Sequence, residues 1–301
     1  MQTTRWLDKE SNRFNDIINR ILNFRENENI ETGEKNFKID KVFPENQTIT
    51  LNSREITFNK LNISYDIVDA GEQPEEDRTT KREDFLIVYT TGINVNYIIN
   101  KNSTASTLIR KLNGYTGKNQ LEKNMSKLDN EFFIWLISKV YNRENNIEIS
   151  ENVNIKVNSI KGLKGNTDDL LNKVTADGET IMNVISTLSF LLESNNISQI
   201  KTDIEYKEHQ HISLTLNKTL TIDTDLKDYS GTLLAKEKEL AFTELLLLIY
   251  IELIPNLFQV YQQEIREEIW GSKKYIEFIE KVGEDVSERI EEKVNAYREM
   301  K

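Results

Sequence analysis

The run from Phe85 to Asn100 constrains the fold of this chain more than any other segment, because none of its sixteen residues carries a charge. Charged residues make up 30% of the whole sequence, so this gap needs an explanation. Strands that are covered on both faces read as continuous apolar runs. We therefore expect two adjacent buried strands, Phe85–Tyr89 and Ile93–Ile99, joined around Thr91-Gly92.

Further strands are predicted where apolar and polar residues alternate with period two. Asn52-Ser53 has the composition of a tight hairpin turn between two of them. Because the strands come in groups that are adjacent in sequence, we expect mainly antiparallel sheets. The predicted strands are Phe37–Phe43, Thr48–Leu51, Glu55–Phe58, Leu61–Val68, Ile147–Ile160, and a hairpin of Ile197–Tyr206 with Ile212–Leu216.

Helices are predicted where apolar residues recur at three- and four-residue steps, and they dominate the last third of the chain. Two interruptions break that last third, near Pro255 and at Gly271-Ser272. The fold class is therefore α+β, with mainly antiparallel sheets in the N-terminal and central regions and a helical C-terminal third. The predicted helices are Trp6–Phe24, Ser103 or Thr104 to Leu112, Leu121–Tyr141, one beginning at Asp168-Asp169, Thr180–Glu193, and the region from Leu234 onward.

A polar stretch, Tyr141–Asn146, divides the chain into two parts of ordinary domain size. It predicts an N-terminal α+β domain over residues 1–145 and a C-terminal α+β domain over residues 146–301 that ends in long helices. The glycine-containing stretch Gly114–Asn119 is the alternative boundary.

Composition excludes several classes of protein. With no cysteine, the chain cannot carry a disulfide scaffold, a Cys-ligated zinc site or a thiol nucleophile. The longest apolar run, Leu245–Ile251, is much shorter than the about 20 residues that cross a bilayer. No apolar leader follows Met1, so we expect a cytoplasmic protein with no membrane segment. Because both histidines, His209 and His211, lie in one hairpin, a Ser-His-Asp triad is disfavoured.

Positive charge is concentrated in residues 101–127, which we call the basic segment. This segment holds six lysines and arginines against one acid, Glu122, whereas the whole chain has a formal net charge of −11. Local potential attracts phosphates more directly than the net charge does. The segment opens at Lys101, where a helix beginning near Ser103 or Thr104 would present unpaired backbone N–H groups.

A Gly-x-x-Gly spacing follows one helix later, at Gly114 and Gly117, with Lys118 directly behind it. In outline, the order strand, helix, Gly-x-x-Gly, helix, strand is similar to the KH module, whose loop clamps a nucleic-acid backbone. The resemblance covers only this region, and Leu112-Asn113 together with a long following helix departs from the module. The segment Gly114–Asn119 is not a P-loop, because its glycine spacing is too short and Asn119 stands where a P-loop has Ser or Thr.

The basic segment predicts contacts to a nucleic-acid backbone, DNA or RNA, or to another polyanion. The alternative is a solvated helix face whose lysines pair with acids elsewhere in the fold. The candidate residues are Lys101, Ser103, Thr104, Arg110, Lys111, Gly114, Gly117, Lys118 and Lys123, with Lys161 and Lys164 as outer contacts.

A second candidate site lies in the predicted hairpin around residue 207. On one strand, alternating side chains would share a face, and this set could hold a metal ion and a catalytic lysine. The residues on the opposite face are apolar and are expected to pack in the core, which leaves the charged face to solvent. Glu208-His209-Gln210 also resembles a hairpin tip. A solvated hairpin is therefore the competing interpretation. The candidate residues are Asp203, Glu205, Lys207, His209 and His211.

The last helix carries a narrow apolar stripe between charged residues. Such a stripe packs on its own domain or pairs with the same helix of a second copy, which would make a homodimer. The stripe consists of Ile276, Ile279, Val282, Val286, Ile290, Val294 and Tyr297.

The sequence thus favours a non-catalytic binding protein that contacts a nucleic-acid backbone or another polyanion and needs no cofactor. One alternative is a metal-dependent phosphodiesterase or nuclease. Another is an accessory or inhibitor subunit of a bacterial or phage system that acts through protein–protein contacts.

Overall fold

The structure is a computed structural model, and it describes residues 1–10, 13–26, 32–117, 119–123, 128–166, 173–177 and 196–299. The helices predicted at Asp168-Asp169 and over Thr180–Glu193 lie outside the described residues. The strands within these ranges are β1 (Gln2–Asp8), β2 (Gly33–Lys41), β3 (Gln47–Leu51), β4 (Arg54–Val68), β5 (Thr79–Thr90), β6 (Val95–Ile99), β7 (Leu121–Lys123), β8 (Asn146–Ser150), β9 (Val153–Asn166), β10 (Lys173–Asp177), β11 (Asn196–Tyr206), β12 (His209–Asn217) and β13 (Ile222–Ser230). The α-helices are α1 (Phe14–Leu22), α2 (Ala105–Leu112), α3 (Asn130–Tyr141), α4 (Lys238–Leu248), α5 (Ile254–Arg266) and α6 (Ser272–Glu299).

The chain divides into two compact units, each built from two separate stretches. The first unit contains residues 1–125 and 236–251, and the second contains residues 126–235 and 252–301. The boundary between residues 145 and 146 was predicted for consecutive domains and stays a prediction. The compact units divide the chain differently, because α4 belongs with the N-terminal strands.

The uncharged run forms the centre of the first unit's sheet, as predicted. The strand order there is β7-β1-β6-β5-β4, with β2 and β3 both paired to β4, and every pair is antiparallel. Consecutive residues such as Leu86 and Ile87 are fully buried, so both faces of β5 are covered over Phe85–Tyr89. The Asn52-Ser53 turn is also confirmed, with positive φ angles of 48° and 59° that suit a two-residue hairpin.

Three helices cover this sheet. The apolar sides of α1 and α2 share one core with side chains of the strands, including Ile17, Leu108 and Tyr97. From the later stretch of the chain, α4 adds Phe242, whose ring lies 5.9 Å from that of Phe85. It also adds Glu239, which forms a 2.6 Å ion pair with the nearly buried Lys60.

Two helices are shorter than the sequence predicted. Trp6 and Leu7 lie on β1, where Trp6 pairs with Tyr97 of β6, and α1 starts only at Phe14. Their spacing from the later apolar residues is helical, but strand pairing decides their conformation. Similarly, Leu121 begins the short strand β7 rather than a helix.

The second unit contains the other antiparallel sheet and three helices. Its strand order is β10-β9-β11-β12-β13, with β8 paired to β9, and the predicted β11–β12 hairpin is confirmed. Helix α3 begins at Asn130 because Asp129 accepts a 2.7 Å hydrogen bond from the backbone N–H of Phe132. Its Trp135 packs against Tyr261 of α5 with ring centres 5.5 Å apart. The α+β class is therefore confirmed.

One helical stretch, Lys238–Arg266, has the length and apolar composition of a membrane span. However, 78% of its most apolar window is buried among protein side chains. A π-helical turn, Ile249–Leu253, interrupts it just before Pro255. Burial of this kind is what the core helix of a soluble protein has, and it suggests no membrane.

Along α6 the predicted stripe splits into two groups. Val282 and Val286 of the stripe are buried in the second unit together with the neighbouring Phe278, and Ile279 is half-buried. Pairing of two copies along this helix stays a prediction. The exposed apolar side chains of the helix are Ile276, Ile290, Val294 and Tyr297.

Candidate nucleic-acid interface

The basic segment enters the first unit through Lys101, directly after β6. Its ammonium lies 3.1 Å from a carboxylate oxygen of Asp84 and 5.2 Å from the centre of the Tyr65 ring. Its side chain is only 15% exposed. A cation that is paired and covered in this way stabilises the fold. Its charge is neutralised within the protein, so it attracts an outside partner only weakly.

Lys111 is compensated in the same manner. Its ammonium lies 3.2 Å from Oε2 of Glu34, donates a 3.1 Å hydrogen bond to the Glu34 carbonyl, and lies 4.4 Å from the centre of the Phe37 ring. The interpretation in which lysines of the basic segment pair with acids elsewhere in the fold therefore describes Lys101 and Lys111.

The start of α2 remains open. Thr104 occupies the cap position, but its side chain accepts no hydrogen bond from the first turn. Ser103 and Thr104 are both exposed. These two residues are therefore accessible, although the helix is only eight residues long.

Gly114 and Gly117 have structural roles. Gly114, at φ +65°, ends α2: its N–H donates to the Lys111 carbonyl and the next N–H, of Tyr115, donates to the Arg110 carbonyl. This is the Schellman arrangement, which favours glycine. The N–H of Gly117 donates a 2.8 Å hydrogen bond to the side chain of Gln120. Because β7 follows where the KH outline needs a helix, the resemblance to that module is wrong.

Arginines lie at this loop, Gly114–Gly117, which we call the Tyr115 loop. Nη2 of Arg110 donates a 3.2 Å hydrogen bond to the Thr116 carbonyl. Arg20, on α1, has its guanidinium carbon 5.9 Å from the centre of the Tyr115 ring. Sequence reasoning missed Arg20, because it is about 90 residues away from the loop along the chain. Only the core that α1 and α2 share could have revealed it.

The side chain of Tyr115 is held by a hydrogen bond to the buried Asp8. Its hydroxyl donates a 2.7 Å hydrogen bond to Oδ2 of Asp8, and the hydroxyl of Tyr97 donates to the same oxygen at 2.5 Å. Burial, followed by the hydrogen bond to the Asp8 carboxylate, raises the pKa of Tyr115. The ring is therefore held in place while the loop around it stays at the surface.

The remaining candidates are dispersed. Lys123 lies on β7, and burial lowers the pKa of its ammonium. Lys118, like Lys127, lies outside the described residues. Lys161 and Lys164 lie on β9 in the second unit, where Lys161 pairs with Asp203 at 2.5 Å.

The alternative metal site is divided by the hairpin turn. Because Lys207 and Glu208 form the turn, His209 lies on β12 opposite Tyr206. His209 is buried, and its Nδ1 lies 2.6 Å from the hydroxyl of Tyr229. Burial lowers the pKa of His209, which favours the neutral ring. The expectation that all five side chains share one face is therefore wrong.

The other members of this set have separate partners. The ammonium of Lys207 binds the buried carboxylate of Glu252, and Glu205 pairs with Lys156 at 3.3 Å. Among the five candidates, His211 alone approaches Asp203, with Nε2 3.7 Å from Oδ1. Within the described ranges, no group of three or more histidine, aspartate and glutamate side chains could hold a metal ion.

No protein-family model matches this sequence, and no curated protein is significantly similar to it.

Proposed function

We propose that this protein is a non-catalytic binding protein for a nucleic-acid backbone, which it contacts through the Tyr115 loop. The observation that supports this function is the presence of Arg20 and Arg110 at one loop, although they belong to two different helices. Guanidinium groups suit phosphate because their donors form a planar fork.

The contact surface is narrower than the basic segment. Lys101 and Lys111 already have acidic partners within the first unit. We assign phosphate contact to Arg20 and Arg110, because both lie at the Tyr115 loop, with Lys118 directly after the loop in the sequence as a further cation. Backbone contact of this kind carries no sequence preference by itself.

The experiment is fluorescence anisotropy with a labelled duplex DNA and a labelled single-stranded RNA at 25 to 200 mM NaCl. The logarithm of the binding constant for duplex should fall linearly with the logarithm of the salt concentration, by about 0.9 per contacted phosphate. Replacing Arg20→Gln together with Arg110→Gln should reduce that slope by about 1.8, because two phosphate contacts are lost.

The matched control is Arg54→Gln, an exposed arginine of the same unit at the start of β4. The salt dependence of the binding constant for Arg54→Gln should have the same slope as that of the unmodified protein. Arg20→Gln alone is the safer variant for folding, because Arg20 is exposed. Absence of binding at 25 mM NaCl, or an equal loss in Arg54→Gln, would reject this function.

The two alternatives from the sequence stay predictions. The separation of His209 from Asp203 and Glu205 weakens the phosphodiesterase alternative. No observation in the described residues favours the accessory-subunit alternative.

A further inference from the structure

A polar cleft of about 460 Å³ lies in the second unit, bounded by the end of α3, by β9 and by α6. This volume is within the range of about 300–1,000 Å³ that small-molecule sites occupy. The cleft shares no residue with the Tyr115 loop, so ligand binding here does not depend on the proposed function.

Positive charge dominates the cleft in an otherwise acidic chain. Arg143, Lys281 and Arg289 line it, against a single carboxylate, Asp285. That carboxylate already accepts a hydrogen bond from the hydroxyl of Tyr141. A cleft lined by one sign of charge focuses the electrostatic potential and attracts the opposite ion.

The side chain of Lys281 is positioned by contacts with residues at the end of α3. The ammonium of Lys281 donates a 2.8 Å hydrogen bond to Oδ1 of Asn142 and lies 5.5 Å from the centre of the Tyr141 ring. From β9, Asn158 adds an exposed amide to the lining. Cations and an amide from three elements thus converge on one space, which gives an anion several donors.

Arg143 occupies a backbone position that favours glycine. It ends α3 at φ +62°, with its N–H donating to the Val140 carbonyl and the next N–H, of Glu144, donating to the Lys139 carbonyl. The same pair of hydrogen bonds ends α2, where the corresponding residue is Gly114, and α5, where it is Glu268 at φ +57°. A left-handed conformation is unfavourable for a residue with a β-carbon.

No contact of the Arg143 guanidinium in the described part of the chain offsets the cost of this backbone conformation. Within the described part of the chain it makes no side-chain hydrogen bond or ion pair. Its side chain is exposed and lines the cleft. Strain at a non-glycine residue without a structural gain is a reason to look for a function of the side chain.

We propose that this cleft binds the phosphate group of a small phosphorylated ligand. Arg143 supplies a guanidinium fork to the phosphate, and Lys281 and Arg289 balance its second negative charge. The remaining volume accommodates an organic part of about the size of a sugar or a nucleoside.

The test is isothermal titration calorimetry of the full chain with inorganic phosphate, glucose 6-phosphate and adenosine 5′-monophosphate. Adenosine and glucose serve as the matching compounds without phosphate. At least one phosphorylated probe should bind, and neither unphosphorylated compound should. Equal affinity for inorganic phosphate and the two esters would show that the phosphate alone is recognised; tighter binding of one ester would identify the organic part.

The decisive variant is Arg143→Gly. It should weaken binding by about 10- to 100-fold, because it removes a charged hydrogen-bond donor. Its Tm should stay equal or rise, because glycine is the preferred residue at this helix end. Lys227→Gln, an exposed cation of the same unit on β13, is the control and should leave affinity unchanged.

Three results would overturn the proposal. The first is no binding of any phosphorylated probe at concentrations up to 5 mM. The second is unchanged affinity in Arg143→Gly. The third is a lowered Tm in Arg143→Gly, which would give the arginine a structural role in place of a binding one.

Discussion

The carboxylate of Asp8 offers the sharpest test of how the first unit is held together. It is 1% exposed and accepts three hydrogen bonds: from the hydroxyls of Tyr97 and Tyr115 and, at 2.9 Å, from the backbone N–H of Glu10. Removing one donor with Tyr97→Phe deletes a hydrogen bond to a charged group. We expect the free energy of unfolding to fall by about 1.5–3 kcal/mol.

The assay is urea unfolding followed by tryptophan fluorescence. With a slope of about 2 kcal/mol/M, a loss of about 2 kcal/mol lowers the midpoint by about 1 M. Asp8→Ala should cost more, because both tyrosine hydroxyls then lose their acceptor. In the Asp8→Ala background, Tyr97→Phe should lower the free energy of unfolding by less than it does in the unmodified protein. The reason is that the Tyr97 hydroxyl no longer has the Asp8 carboxylate as its acceptor. A change under about 0.5 kcal/mol for Tyr97→Phe alone would refute the reasoning, because that is the range of a neutral surface substitution.

The same cluster predicts a pH dependence. Burial, followed by the nearby Asp8 carboxylate, raises the pKa of Tyr97 above its ordinary value. The hydroxyl therefore stays protonated in the fold where an unfolded tyrosine ionises. Its stabilisation is complete below about pH 10 and is lost above it, by about 1.4 kcal/mol per pH unit. Tyr97→Phe should flatten the fall in stability between pH 10 and 11.5 by that amount; an unchanged slope would contradict the burial argument.

Two further predictions concern the second unit. Gly231→Ala should lower the free energy of unfolding by about 1–3 kcal/mol, because the new β-carbon would meet the hydroxyl of Tyr229. Gly271→Ala is the control, since nothing lies within 4 Å of its β-carbon, and equal Tm values for the two variants would contradict this account. Tyr206→Phe should cost about 1.5–3 kcal/mol in urea unfolding, because its hydroxyl donates a 2.6 Å hydrogen bond to the buried Glu252. A Tyr206→Phe midpoint equal to that of the unmodified protein would show that this bond adds no net stability.

Local patterns predicted the elements whose environment is uniform along the chain. The uncharged run from Phe85 to Asn100 gave β6 and the buried part of β5, since both faces of these strands are covered. The pattern failed at Trp6 and Leu121, where apolar residues at helical spacing lie on short strands. Their conformation depends on pairing with strands distant in sequence, which periodicity does not record.

The candidate site was less predictable than the fold for the same reason. Charge counting located the basic segment, but it could not show that Lys101 and Lys111 pair with Asp84 and Glu34. Those acids lie on strands that the sequence places 17 and 77 residues away. Arg143 was missed because a left-handed arginine at a helix end has no sequence signature.

The division of the first unit into two stretches has a consequence for synthesis. Roughly 110 residues separate Met125 from Lys236, so at about 5–20 residues per second α4 is made roughly 5–20 s after the strands it covers. During that interval Lys60 lacks its partner Glu239, and Phe85 lacks the ring of Phe242. Until then the nascent N-terminal sheet lacks the cover that α4 provides, and the first unit is completed only after the strands of the second have been made.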